Sequence, residues 1–156
     1  MTNLEIRPAR PDECHLVLAF IKLIAEYERL THLVEATEAM IHQALFVNHD
    51  CEVVIAFEAG APVGFALYFY NFSTFKGKKG LYLEDLYVKE EYRHRGYGKA
   101  LITYLIRQAK AQQLGRMEWT CLNWNRSAID FYTSLGARPL KEWTVFRLDE
   151  EAIQRF

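Results

Sequence analysis

The chain has 156 residues, 51% hydrophobic and 25% charged, with a formal net charge of -1. That length and balance fit one soluble globular domain, residues 1–156, with an adequate core. They give no global pull toward nucleic acid or anionic membranes, and no apolar run reaches the length of a membrane span. The stretch from Met1 to Asp12 is polar and charged, unlike a signal peptide. Cys14, Cys51 and Cys121 are odd in number, far apart and without a C-x-x-C, a pattern expected of reduced thiols in a cytoplasm.

In chain order, Leu4 to Arg7 reads as a short strand. Pro11-Asp12-Glu13 opens a helix with Leu16, Phe20, Leu23, Ile24 and Tyr27 at helical spacing. Thr37 begins a second helix, with Met40, Ile41, Ala44 and Leu45 on one face. Cys51 to Phe57 and Val63 to Tyr70 are strands joined by a hairpin at Ala59-Gly60-Ala61-Pro62. After a polar loop, Lys76 to Gly80, comes a strand from Leu81 to Val88, then a glycine loop and a helix from Lys99 to Leu114. Arg116 to Leu122 is a strand, Asn125 to Leu135 a helix closed by Gly136, and Trp143 to Leu148 a last strand, followed by a short helical tail. The pattern βααβββαβαβ makes a mixed α/β domain.

The chemistry concentrates in Tyr92-Arg93-His94-Arg95-Gly96-Tyr97-Gly98-Lys99. Two glycines one residue apart let the backbone turn with no side chain in the way, so several N–H groups converge at the positive end of the following helix. Such a nest binds phosphate oxygens, and Arg93, Arg95 and Lys99 add positive charge. The G-x-x-x-x-G-K-[ST] spacing of a nucleoside triphosphate loop is absent. A dinucleotide fingerprint starting at Gly96 meets Leu101 where a small residue belongs, although Glu118 lies at the distance of a ribose-binding acid. A diphosphate with a long arm along the preceding strand, the shape of coenzyme A, is the third option.

A second segment favours that option. Asn125-Arg126-Ser127-Ala128-Ile129-Asp130-Phe131-Tyr132, followed by Gly136-Ala137, resembles N-x-x-[AS]-x-x-[FL]-Y and its closing turn in the GNAT superfamily of N-acetyltransferases. Arg93, Gly96 and Gly98 match that superfamily's [QR]-x-x-G-x-[GA] loop. Leu81 to Val88, with Ile21-Lys22 and Tyr27-Glu28, is similar to the spermidine/spermine (diamine) acetyltransferases, while Ser73 to Gly77 is closer to their thialysine-acetylating relatives.

The resemblance implies an α/β (α+β) GNAT fold. Its central sheet is mixed, mostly antiparallel and splayed at the strand before the glycine loop, with helices on both faces. It implies acetyl-CoA as co-substrate, its diphosphate on the backbone of His94, Arg95, Gly96, Tyr97, Gly98 and Lys99, beside Arg93. The pantetheine arm would lie along the main chain of Leu86, Tyr87 and Val88, with further contacts from Asn125, Arg126, Ser127, Ala128 and Tyr132. Tyr132 is the implied general acid and Glu84 the general base. Tyr27, Glu28, Glu84, Glu118, Trp119 and Glu142 match substrate-side positions. An acidic, aromatic pocket suits a cationic amine, but an acid that the diamine enzymes carry near Ser73 is missing.

Each of these residues also has a plainer role. Asn125 can simply cap a helix, and Tyr132 can be core. Glu84 and Asp85, adjacent on a strand, are expected on opposite faces, so that only one enters a given cleft. The five histidines show no metal-ligand spacing, and no metal is expected. The reaction implied is direct acetyl transfer to a primary amine of a thialysine- or lysine-like amino acid, a diamine or a polyamine. A non-catalytic acetyl-CoA-binding module, an acetyltransferase acting on protein lysine or an aminoglycoside-like amine, and a dinucleotide-binding reductase remain as alternatives. The related enzymes are homodimers, which implies a homodimer here.

Overall fold

The computed structural model describes residues 3–156; Met1 and Thr2 lie outside it. Five strands run β1 (Leu4–Pro8), β2 (Glu52–Glu58), β3 (Ala61–Ser73), β4 (Lys78–Val88) and β5 (Arg116–Trp119). They lie side by side in that order. The first four are antiparallel, and β5 returns parallel to β4. The helices are α1 (Cys14–Tyr27), α2 (Glu38–His42), α3 (Tyr97–Ala111), α4 (Arg126–Ser134) and α5 (Glu150–Gln154). A parallel pair needs a crossover, and α3 supplies it between β4 and β5.

The chain forms two compact units, Met1–Thr120 and Cys121–Phe156. In the first, alternation along β2 divides its side chains between two layers. Val53, Ile55 and Phe57 join Cys14, Val17 and Phe20 of α1, Ile41 of α2 and Phe65 of β3 in one cluster. The Phe20 and Phe65 rings stack with centroids 5.1 Å apart. The opposite layer holds α3, which packs on β3, β4 and β5 and buries Leu101, Ile102 and Leu105. Full burial of each such side chain contributes about 1.5–3 kcal/mol. Gly64 of β3 lies on this face, because a Cβ there would crowd Leu101 and Val88.

Local signals place most elements. The β2–β3 hairpin turns at Ala59 and Gly60, both at positive φ (48° and 83°). Thr37 caps α2 by accepting from Met40 N–H at 3.2 Å, and the helix then widens into a π-turn over Gln43–Val47. In the second unit Asn125 caps α4 and Asp149 caps α5.

Two expected strands require correction. The strand expected to reach Leu122 ends at Trp119. Trp143 to Leu148 forms no strand, and Trp143, Val145 and Phe146 are 74%, 75% and 91% exposed. Their apolar, β-prone pattern describes a surface suited to pairing, but a strand also needs a partner, and none of the described residues pairs with them.

Candidate active site

The glycine loop has the conformation its sequence suggests. His94 and Gly96 both take left-handed backbone angles, φ 62° and 83°. Gly96 is the N-cap of α3 and has no side chain to cap it with. The N–H groups of Tyr97, Gly98 and Lys99 are in the first turn, where intrahelical acceptors are lacking. A Cβ at Gly96 meets nothing within 4 Å, and one at Gly98 meets only Val88 Cγ2 at 3.9 Å. Open space at a helix start, where the first N–H groups have no intrahelical acceptor, fits a diphosphate.

The basic side chains are more committed than the sequence suggests. Arg93 donates from Nε to Val88 O at 3.0 Å, and its guanidinium lies 4.9 Å from the Tyr27 ring centroid and 5.3 Å from that of Tyr87. Arg95 pairs with Glu58 at 3.3 Å. Tyr97 is 2% exposed, so its ring is part of the protein's packing. Lys99 lines a groove of about 550 Å³ together with Leu4, Ile6, Gly96 and Arg107.

Next to the loop, β4 runs on past the end of β5. It pairs with β3 as far as Val88, but with β5 only from Gly80 to Leu83. Beyond Leu83, the β5 side of Leu86, Tyr87 and Val88 is left without a ladder, as pairing to an extended ligand requires.

The ladder also slips at this point. Leu67 opposes Asp85 and Tyr68 opposes Leu83, so Glu84 has no opposite residue and forms a β-bulge. This corrects the opposite-face expectation for Glu84 and Asp85. Leu67 packs against the α1-side cluster, so Asp85 belongs to that side. Glu84 interacts electrostatically with Asp85, with Glu28 at the end of α1 and with Cys51, which packs on the same cluster. Burial first, and then the charges of Glu84 and Glu28, raise the Asp85 carboxyl to about 7. Burial and Glu84 also raise Glu28. Asp85 was missed as a site residue because a bulge cannot be read from strand alternation.

The other expected substrate-side residues differ in setting. Glu118 lies 2.9 Å from Arg116 Nε and accepts from Asn71 Nδ2 at 3.4 Å, so its charge is already met within the protein. Trp119, the last residue of β5, is half-buried. In the second unit, Asn125 Oδ1 accepts from Ala128 N–H at 3.3 Å, which realises the capping role. Arg126 pairs with Asp130 at 3.3 Å, and Ser127 lies in the first turn of α4. Tyr132 is half-buried, its ring centroid 5.4 Å from that of Phe131. Glu142 is exposed in a turn. No group of three or more His, Cys, Asp or Glu side chains able to hold a metal forms among the described residues.

Comparison with known proteins agrees with this geometry. Residues 17–137 match the Acetyltransferase (GNAT) family. The thialysine N-epsilon-acetyltransferase of Bos taurus is 35% identical, with 99% of this chain and 97% of the relative covered. The L-ornithine N5-acetyltransferase NATA1 of Arabidopsis thaliana is 31% identical, with 96% and 86% covered. An integron cassette protein from the mobile metagenome of V. cholerae superposes with a TM-score of 0.82 at 27% identity, over 99% of this chain and 98% of that one. The chain therefore belongs to the GNAT acetyltransferase family, as an N-acetyltransferase.

Proposed function

We propose that the protein transfers the acetyl group of acetyl-CoA to the primary amine of a small cationic substrate: a thialysine- or lysine-like amino acid, a diamine or a polyamine. One observation carries this reading. Within a few residues, β4 passes the end of β5, bulges at Glu84 and runs into a loop with open space beside Gly96 and Gly98 at the start of α3. The two relatives named above are acetyltransferases of thialysine and of ornithine, both amines.

Bound acetyl-CoA would supply an acyl thioester. The loop amides from His94 to Lys99 would hold its diphosphate, and the main chain of Leu86 to Val88 its pantetheine arm. Glu28, Glu84 and Asp85, with Tyr27, would attract the ammonium of the acceptor. An amine of this kind has a reference pKa of about 10.4 and arrives protonated. Glu84, directly or through water, takes that proton. The free amine then attacks the carbonyl carbon, a backbone N–H near Val88 steadies the oxygen, and as the C–S bond breaks the nitrogen loses its second proton to solvent. Tyr132 gives its proton to the departing thiolate, and Asn125 to Ala128 complete the grip on the carrier. No step calls for a metal.

The whole chain would then act as one acetyltransferase domain, a reading supported by a family match that spans both compact units. A homodimer and a cytoplasmic location complete the proposal. The exposed Trp143–Leu148 segment supports the first, and the wide spacing of Cys14, Cys51 and Cys121, with no C-x-x-C, supports the second. None of the described helices is long and apolar enough to cross a membrane.

The test is release of free CoA from acetyl-CoA against a panel of thialysine, ornithine, diamines, polyamines, lysine peptides and aminoglycosides. Turnover on the small amines is expected. Binding of acetyl-CoA with no turnover on any of them would leave a binding module, and turnover confined to peptides or aminoglycosides would move the acceptor.

A further inference from the structure

Glu58 is the last residue of β2 and adjoins the hairpin turn at Ala59-Gly60, far along the chain from the glycine loop. Its carboxylate nevertheless meets both neighbours of Gly96. Oε1 accepts from the Tyr97 hydroxyl, and Oε2 lies 3.3 Å from Arg95 Nη1. The Tyr97 phenol is held protonated above its ordinary range, chiefly by this hydrogen bond. Arg95 is steadied further by a bond from Nη2 to Glu91 O at 3.3 Å and by the Tyr92 ring, 5.2 Å from its guanidinium carbon.

Placing an anion beside a phosphate site weakens phosphate binding by simple repulsion. It also occupies an arginine that would otherwise serve the ligand. The compensating gain is conformational. His94, a residue with a Cβ, sits at φ 62°, a region such residues visit rarely. Gly96 at φ 83° is the pivot between loop and helix. A loop with two left-handed residues has many other shapes available before a ligand arrives. Glu58 fixes the residues on both sides of the pivot to the edge of a rigid hairpin, so the amides are aimed before the ligand binds.

We propose that Glu58 is a positioning residue for the cofactor loop, acting through Tyr97 and Arg95 to hold the Gly96 turn in its binding shape. The inference rests on the reading of this loop as the acetyl-CoA diphosphate site.

Calorimetry with acetyl-CoA, alongside steady-state kinetics, tests it. Glu58→Ala is expected to weaken acetyl-CoA binding about tenfold and raise its KM to match, while kcat and the KM for the amine stay near wild type. A merely structural role would scale the active fraction and leave both KM values unchanged. Tyr97→Phe, which deletes only a hydroxyl, is expected to weaken binding in the same direction. The double variant should then lose less than the two single losses combined, because both cut one link. Should Glu58→Ala fold poorly, Glu58→Gln keeps an acceptor for Tyr97 and loses the charge, and its expected loss is smaller but of the same kind. Binding by these variants as tight as wild type, or tighter because Arg95 is released to the phosphate, overturns the proposal. Failure of the wild-type protein to bind acetyl-CoA overturns instead the functional reading beneath it.

Discussion

Asp85 stands across from Leu67, while Glu84, one residue earlier, stands across from nothing. That one-residue slip places two carboxylates and the end of α1 within electrostatic reach of each other, and burial completes the effect by lifting Asp85 to about 7. At pH 6 Asp85 is mostly protonated, and at pH 8 mostly ionised. If the ionised form helps to attract a cationic amine, the ratio of kcat/KM between wild type and Asp85→Asn rises by about tenfold across that interval. Taking the ratio cancels the titration of the substrate itself. A ratio constant with pH would mean that Asp85 plays no part in amine capture.

The same group predicts a stability trend. Its folded carboxyl titrates at about 7, against 3.8 as the ordinary value. The folded state therefore holds a proton that the unfolded chain releases, and the stability it contributes is full below about pH 4 and lost as pH rises to 7. Asp85→Asn removes the penalty for ionising there. The variant should exceed wild type by about 2–4 kcal/mol at pH 8, with the gap closing toward pH 5. Urea unfolding at the two pH values measures it. A gap that widens in acid would contradict the raised carboxyl.

What the sequence revealed and what it hid divide along physical lines. The Gly96 turn, the Asn125 cap and the Ala59-Gly60 hairpin are local, because each is set by the backbone freedom or side-chain reach of a few neighbouring residues. The Glu84 bulge is a relation between two strands, and alternation along one of them cannot show it. Glu58 lies too far along the chain from Tyr97 for any motif to join them. Trp143 to Leu148 misled for the opposite reason, since β-propensity records suitability for pairing and not the presence of a partner.

Gly80 illustrates a close approach between strands. A Cβ built there overlaps Asn71 Oδ1 and comes within 2.9 Å of Arg116 Cγ. Arg116 has little room to move, being bound to Phe72 O at 3.2 Å and to Glu118 at 2.9 Å. Gly80→Ala should cost about 1–3 kcal/mol through overpacking, read by chemical denaturation. Wild-type stability would show that Asn71 and Arg116 rearrange freely.

Tyr132→Phe separates chemistry from binding. Removing the hydroxyl leaves the ring that contacts Phe131 and the main-chain carbonyl that accepts from Ala137 N–H. Turnover should fall by about 10²–10⁴-fold, the usual worth of a general acid, while the acetyl-CoA dissociation constant stays within about twofold. Undiminished turnover would remove Tyr132 from that role.

Gly98 separates ligand contact from loop integrity. Unlike Gly96, it has no left-handed backbone angle, and a Cβ there touches only Val88 Cγ2 at 3.9 Å. Inside α3, alanine is a better helix former than glycine by about 1 kcal/mol. Gly98→Ala should therefore fold at least as stably as wild type. The added methyl nevertheless enters the open space beside the loop, where the proposed diphosphate would lie. Acetyl-CoA binding should weaken tenfold or more, as about 1.4 kcal/mol of lost contact implies. Unchanged affinity in a well-folded Gly98→Ala protein would place the diphosphate away from this turn.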